Sequence, residues 1–232
     1  MENSFPQIWK IIDIPHCGQM KKFIFQEIPE HYYDEIINKY AHEFFSEEII
    51  YRTCNFLNDP VSLLDMENKY RKYLAQKMSI GVFEYIENDE NKLVGLNLLF
   101  RMNNKSMNSM QSISTYYEQI NNYLQTVFKS YAEQLIGNKD YLASDMLFVR
   151  KDYRNIGLAL QLLELRNYVG KKYNLKYTIS LFTSNTAQKL AEKVGFTGNR
   201  VYNCNDAVDN EKNFLFPLLK DKSGTCMIKY IS

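Results

Sequence analysis

FVRKDYRNIGLALQLLE, residues 148–164, runs from an apolar, strand-like segment through a charged turn into residues with helical spacing. Gly157 opens the helix, and Arg154 lies three residues before it. A glycine at a helix start lets a bound group come close to the backbone. The N–H groups of Asn155, Ile156, Gly157, Leu158 and Ala159 lack partners within the helix and present the positive end of its dipole. With Arg154 beside them and small residues at 157 and 159, the stretch is suited to a diphosphate. Taken alone, a strand-glycine-helix junction is more commonly a plain turn next to a solvated arginine. The sequence contains no G-x-x-x-x-G-K-[ST], no G-x-G-x-x-G and no kinase-type set of motifs.

Working outward, residues 142–150 read as the strand that feeds this turn. Residues 157–172 read as its helix, with Leu158, Leu162, Leu165 and Val169 on the buried side. TISLFT (178–183) is a strand, and 185–194 is a short helix that Gly195 ends. VYNC (201–204), NFLFPLL (213–219) and TCMIKYI (225–231) are the final strand candidates. Upstream, 21–28 is a strand, and 30–45 a helix with Tyr33, Ile36, Ile37, Tyr40 and Phe44 along one side. Asp59 followed by Pro60 caps a helix that reaches about Gln76. The segments 79–87 and 92–100 form a hairpin across NDEN. Residues 115–136 carry Ile120, Leu124, Val127, Tyr131 and Leu135 at helical spacing, inside an insertion at about 101–140. Hairpins early and a strand-helix-strand-helix unit late predict an α/β fold: a mixed sheet with helices on both faces. The absence of a linker or repeat predicts one domain over 1–232.

The composition agrees with a packed core: 45% of residues are hydrophobic, with 18 Tyr and 14 Phe. A formal charge of +1 gives no bulk electrostatic footprint for nucleic acid or a membrane surface. No segment has the form of a leader or a membrane span, and the expectation is a cytoplasmic monomer. Cys17, Cys54, Cys204 and Cys226 are far apart and show no metal-ligand spacing, so reduced thiols and no metal are expected.

Arg154-Asn155-Ile156-Gly157-Leu158-Ala159 resembles the Q/R-x-x-G-x-G/A diphosphate loop of the GNAT acetyltransferases. Residues 184–196, SNTAQKLAEKVGF, resemble that family's second motif, which ends in K-x-G-F. Together the two cover about residues 142–198 in the family's order. The inserted helix and the stretches VFKSYAEQ (127–134) and YLASDMLFV (141–149) are more specifically similar to insect arylalkylamine N-acetyltransferases. That resemblance implies a twisted sheet of about seven strands splayed between the fourth and fifth, and acetyl-CoA as donor to a small amine. Dopamine, serotonin and tyramine are the acceptors it implies. Other amines, including agmatine, polyamines or a peptide, and a non-catalytic acyl-CoA-binding module are the alternatives.

The family's general-base glutamate, which follows its first helix, falls on Glu48 in FFSEEIIYR. The chemistry asks for such a group, because an alkylamine is almost wholly protonated near neutral pH and cannot attack a thioester until its proton leaves. Glu47 beside it would add negative charge at a pocket mouth, although an acidic pair at a helix end is more often simply solvated. Asp145 stands where relatives place an imidazole and is the reserve base. His16, His31 and His42 are scattered. Main-chain N–H groups of Leu147, Phe148 and Val149 would receive the oxyanion and pair with the pantetheine arm. Of two hydroxyl positions in the insect enzymes, Thr183 keeps its hydroxyl and Ala187 does not. Ser184 and Thr186 are neighbouring hydroxyls that would substitute for it, and Ser184 is also expected at the cofactor site. The chain also departs from the family at Ile49, where a proline is usual, and at Ala191, where many members have tyrosine.

Overall fold

Period-two patterning in the first half of the chain builds a row of antiparallel strands. In the computed structural model, which describes residues 5–53, 55–103, 115–208, 212–214 and 223–232, these are β1 (Ile8–His16), β2 (Gln19–Glu27), β3 (Ile80–Glu84) and β4 (Lys92–Met102). β5 (Tyr141–Val149) joins β4 antiparallel and β6 (Tyr177–Phe182) joins β5 parallel. β7 (Thr197–Asn203) and β8 (Ser223–Tyr230) complete an eight-stranded mixed sheet of order β1-β2-β3-β4-β5-β6-β8-β7. Seven of these strands were expected. The eighth is β1, joined to β2 by a turn at Cys17 and Gly18, both with positive φ as a two-residue hairpin loop requires.

Helices cover both faces. On one lie α1 (Tyr33–Glu35), α2 (Ala41–Glu47), α3 (Ile49–Thr53), α4 (Pro60–Leu74) and α5 (Thr115–Ile136). A π-helical turn at Ile36–Tyr40 links α1 to α2. It brings the Tyr40 hydroxyl to the Leu93 carbonyl at 2.7 Å and its ring against Phe148, which seats α2 over the centre of the sheet. Asp59 caps α4 by accepting from Val61 N, and Met66, Tyr70, Tyr73 and Leu74 bury its inner face. Fully burying a large apolar side chain contributes about 1.5–3 kcal/mol, so this face alone holds α4 in place.

On the other face α6 (Leu158–Glu164) and α7 (Arg166–Lys172) pack Leu158, Leu162, Leu165 and Val169 against Phe23, Val82 and Val94. The expected single helix over 157–172 is thus two, bent at Leu165. α8 (Asn185–Lys193) follows β6 and ends at Gly195, φ +88°. Leu135, expected on the buried stripe of α5, is exposed, while Tyr131 and Ile136 are buried. The Ile120 side chain, Cys54 and most of the NFLFPLL segment lie outside the described residues, apart from a bridge between Val208 and Phe214. No helix among the described residues is long and apolar enough to cross a membrane.

Candidate acyl-CoA and amine site

β5 and β6 share only two rungs, Leu142 with Thr178 and Ala143 with Ile179, and then part. Their divergence begins at a bulge. β4 pairs Leu98 with Met146 and Leu99 with Ser144, so Asp145 is an extra residue on β5, and such a residue bends its strand. The parted strands open a cavity of about 1170 Å³ whose wall includes Glu48, Asp145, Thr183, Leu147 and Gly157.

Strand alternation decides which groups β5 offers to this cleft. Arg150 N donates to Val94 O on β4, so Phe148 turns its N–H toward β4 as well. Leu147 and Val149 therefore turn their main-chain groups toward the cleft, where β6 is no longer paired. Of the three expected oxyanion donors, Phe148 is the one whose N–H faces away, and its ring packs under Tyr40 instead. The Val149 carbonyl is taken by Arg154 Nε at 2.8 Å.

Beyond β5 the loop rises into α6 with Asn155 at φ +66° and Gly157 at φ +87°. Nothing lies within 4 Å of where a Cβ on Gly157 would stand. The first helical donor with a partner inside the helix is Gln161, bonded to Gly157 O, so the N–H groups of Leu158, Ala159 and Leu160 point out of its end. The loop is anchored by Tyr153, buried, stacked on His16 and hydrogen-bonded to Glu84. Ile156 and Ala159 pack against the same core.

Arg154 is not a lone cation: it also reaches Glu47 at 2.6 Å, and Lys151 approaches the same carboxylate at 3.2 Å. Those two cations hold the Glu47 carboxyl below the usual carboxylate range against the opposing effect of its burial. The acidic doublet is therefore split. Glu47 ties the end of α2 to the loop after β5 and does not furnish free negative charge at the cavity mouth.

Glu48 follows α2 with extended backbone, φ −69° and ψ 122°, which turns its side chain inward. Its Oε2 accepts from Ile50 N at 2.8 Å and from Tyr51 N at 3.3 Å. The Thr183 hydroxyl, just past the end of β6, lies on the same cavity wall and favours the charged form of this carboxyl. Burial pushes the Glu48 carboxyl above its ordinary value, and these hydrogen bonds and Arg52 offset that only in part. The structure thus brings Glu48 and Thr183 together across the wide separation they have in the chain.

Asp145 lines the same cavity but is paired with Lys69 of α4 at 3.0 Å. One of its oxygens is thereby already engaged by a cation. Ser184 caps α8 by accepting from Ala187 N at 3.2 Å, and Ala187 and Leu190 pack with Phe182. Two further charged groups on the cavity wall, Lys69 and Arg166, were not singled out from the sequence. The periodicity of α6 and α7 does carry a hint, because Arg166 follows Leu162 by four residues and so falls on the buried stripe. Burial draws its guanidinium down to about 9. Among the described residues no group of three or more His, Cys, Asp or Glu side chains is placed to hold a metal ion.

The central splayed strands, the glycine-opened helix and the order of elements define the fold of the GNAT acetyltransferases. No protein-family model matches the chain, and no curated protein matches it in sequence. Among solved structures it is similar to a protein named arylalkylamine N-acetyltransferase 7 from the yellow fever mosquito Aedes aegypti, with 20% identity, a TM-score of 0.88, and coverage of 100% of this chain and 98% of that one. Arylalkylamine N-acetyltransferase 2 from the same mosquito gives 22% identity and a TM-score of 0.71, covering 90% of this chain and 99% of that one. A Drosophila melanogaster polyamine N-acetyltransferase that forms N-acetylagmatine gives 12% and 0.74, with coverage of 90% and 99%. These likenesses establish the fold, shared by enzymes that acetylate different amines.

Proposed function

We propose that the protein is an acetyl-CoA-dependent N-acetyltransferase acting on the primary amine of a small arylalkylamine. One observation carries the reading: Glu48 and Thr183 share the wall of a cleft made by two sheet strands that part after two rungs. A cleft of that form offers main-chain donors and acceptors to an extended amide-bearing arm and brings a carboxylate to its side. The backbone from Asn155 to Ala159, open around Gly157, would take the diphosphate, and Arg154 would add charge while bound to Glu47. The size of the cavity and these donors fit an acyl-CoA, which supplies the acetyl group as a thioester.

In this reading Glu48 takes a proton from the ammonium of the acceptor, directly or through water, and Thr183 orients the carboxylate. The amine nitrogen then attacks the carbonyl carbon. The N–H groups of Leu147 and Val149 face the cleft where negative charge develops on the oxygen. As the C–S bond breaks, CoA leaves as thiolate and takes up the second proton lost by the nitrogen, which gives the free thiol and the neutral amide. Ser184 and Thr186, both on the cavity wall, are the hydroxyls that would stand in for the one missing at Ala187, and an oxygen that accepts at a helix cap, as Ser184 does, can still donate its own proton. The rings of Phe44, Tyr73, Phe100 and Phe128 on the cavity wall suit an aryl acceptor. Reduced cysteines fit a cytoplasmic setting, and the site needs only one copy of the chain.

The deciding experiment is release of free CoA thiol from acetyl-CoA across a panel of dopamine, tyramine, serotonin, agmatine, spermidine and a short peptide. Turnover of the aryl amines above the rest is expected. Turnover of the polyamines or the peptide alone would move the substrate class, and acetyl-CoA binding without turnover of any amine would leave only an acyl-CoA-binding module.

A further inference from the structure

The rung that would follow Ala143 and Ile179 sets Ser144 opposite Ser180, and it is not made. Both serines bind elsewhere. Ser144 donates to Asn97 Oδ1 at 2.6 Å, and the Ser180 hydroxyl accepts from Arg166 Nη1 at 2.8 Å. Arg166 Nη2 lies between the two strands, 3.2 Å from the Leu142 carbonyl of β5 and 3.4 Å from the Ile179 carbonyl of β6. A single guanidinium therefore holds a carbonyl from each strand at the last place where they meet. It also lies 5.2 Å from the ring centroid of Phe196, so α7, the fork and the end of the second motif converge on it.

Stability does not account for an arginine here. Its residue is 1% exposed, and among the described residues no carboxylate pairs with it and its Nε has no hydrogen-bond partner. A buried charge without a counter-ion is costly, and an apolar side chain of similar volume in such a place is commonly as stable or more so. A methionine would fill the space. It would not hold the Ile179 carbonyl or the Ser180 hydroxyl, and the Leu142 carbonyl would keep only its bond from Thr178 Oγ1.

We propose that Arg166 is a positioning residue: its guanidinium fixes the fork of β5 and β6 and so keeps open the cleft that receives the pantetheine arm of an acyl-CoA. The proposal rests on the reading of the cleft as an acyl-CoA site. Its test compares the full-length wild type with R166M and R166K by calorimetric titration of acetyl-CoA, thermal melting and steady-state kinetics. For R166M the expected result is an unchanged or higher Tm with a loss of acetyl-CoA affinity of about tenfold or more. The KM for acetyl-CoA should rise by a similar factor, kcat should change less, and R166K should recover part of the affinity. Wild-type affinity in a folded R166M, or a loss that only follows a falling Tm, overturns the proposal. If R166M does not fold, S180A decides, because it removes one acceptor of the guanidinium and leaves the charge in place. Weaker binding by about threefold at an unchanged Tm supports the role, and unchanged affinity refutes it. A wild type that does not bind acetyl-CoA would refute the cofactor reading itself, an outcome separate from a variant that binds as well as the wild type.

Discussion

Replacing Glu48 by glutamine preserves a side-chain oxygen for Ile50 N and Tyr51 N but removes the capacity to take a proton. Turnover should fall about a hundredfold or more while acetyl-CoA still binds, as measured by thiol release and titration. The sign of the stability effect follows from the raised carboxyl. A group held above its unfolded value adds stability below that value and loses it as pH rises through the folded one, so ionised Glu48 weighs against the fold at neutral pH. E48Q should therefore melt at or above the wild-type temperature at pH 7. In the wild type, the acid limb of the kcat/KM profile should lie above the ordinary carboxylate range, and E48Q should lack it. An E48Q enzyme with wild-type turnover would move the base to Asp145, whose pairing with Lys69 is broken by K69M.

At the level of elements, the turn into α6 and the cap of α4 make separable demands. Gly157 needs a left-handed backbone, and its missing Cβ would meet nothing. G157V should thus lower stability by about 1–2 kcal/mol through conformation alone. Its loss of acetyl-CoA affinity should be larger, because the branched side chain stands where the diphosphate would approach, and titration against Tm separates the two. Far from the cleft, D59A removes the acceptor for Val61 N. It should cost about 1 kcal/mol in chemical denaturation and leave KM unchanged. The elements that sequence patterning missed have physical reasons. β1 is an edge strand whose IWKIIDIPH puts apolar residues on both faces: Ile8 and Ile11 are exposed, while Trp9, Ile12 and Ile14 pack inward, so the alternation is blurred. The break at Leu165 left no mark in the spacing of Leu158, Leu162, Leu165 and Val169, which face the core on both sides of it.

For the whole molecule, a cleft formed by parted strands belongs to the native state and disappears on unfolding. Acetyl-CoA at a hundred times its Kd should add about 2.7 kcal/mol to stability. For a domain of this size that corresponds to a rise in Tm of roughly 5–10 °C, measurable by differential scanning calorimetry. Desulfo-CoA should produce much of the same shift, because the loop and the β5 backbone proposed to hold the cofactor would not require the thioester.

The chain by itself determined what depends on neighbours in sequence: the periods of the strands and helices, the capping of α4 by Asp59, and the glycine that lets backbone turn left-handed before Leu158. It also placed Glu48 at a helix end and Thr183 at a strand end. Only the tertiary structure decided that the two meet, that Glu47 is drawn off to Arg154 and Lys151, and that Asp145 is claimed by Lys69. It alone showed Phe148 turning its N–H away from the cleft and Arg166 standing at the fork. The physical reason is that burial and charge pairing are set by distance in space. Side chains far apart along the chain acquire a shared low-dielectric surrounding, and with it their protonation, only when the sheet brings them to one wall.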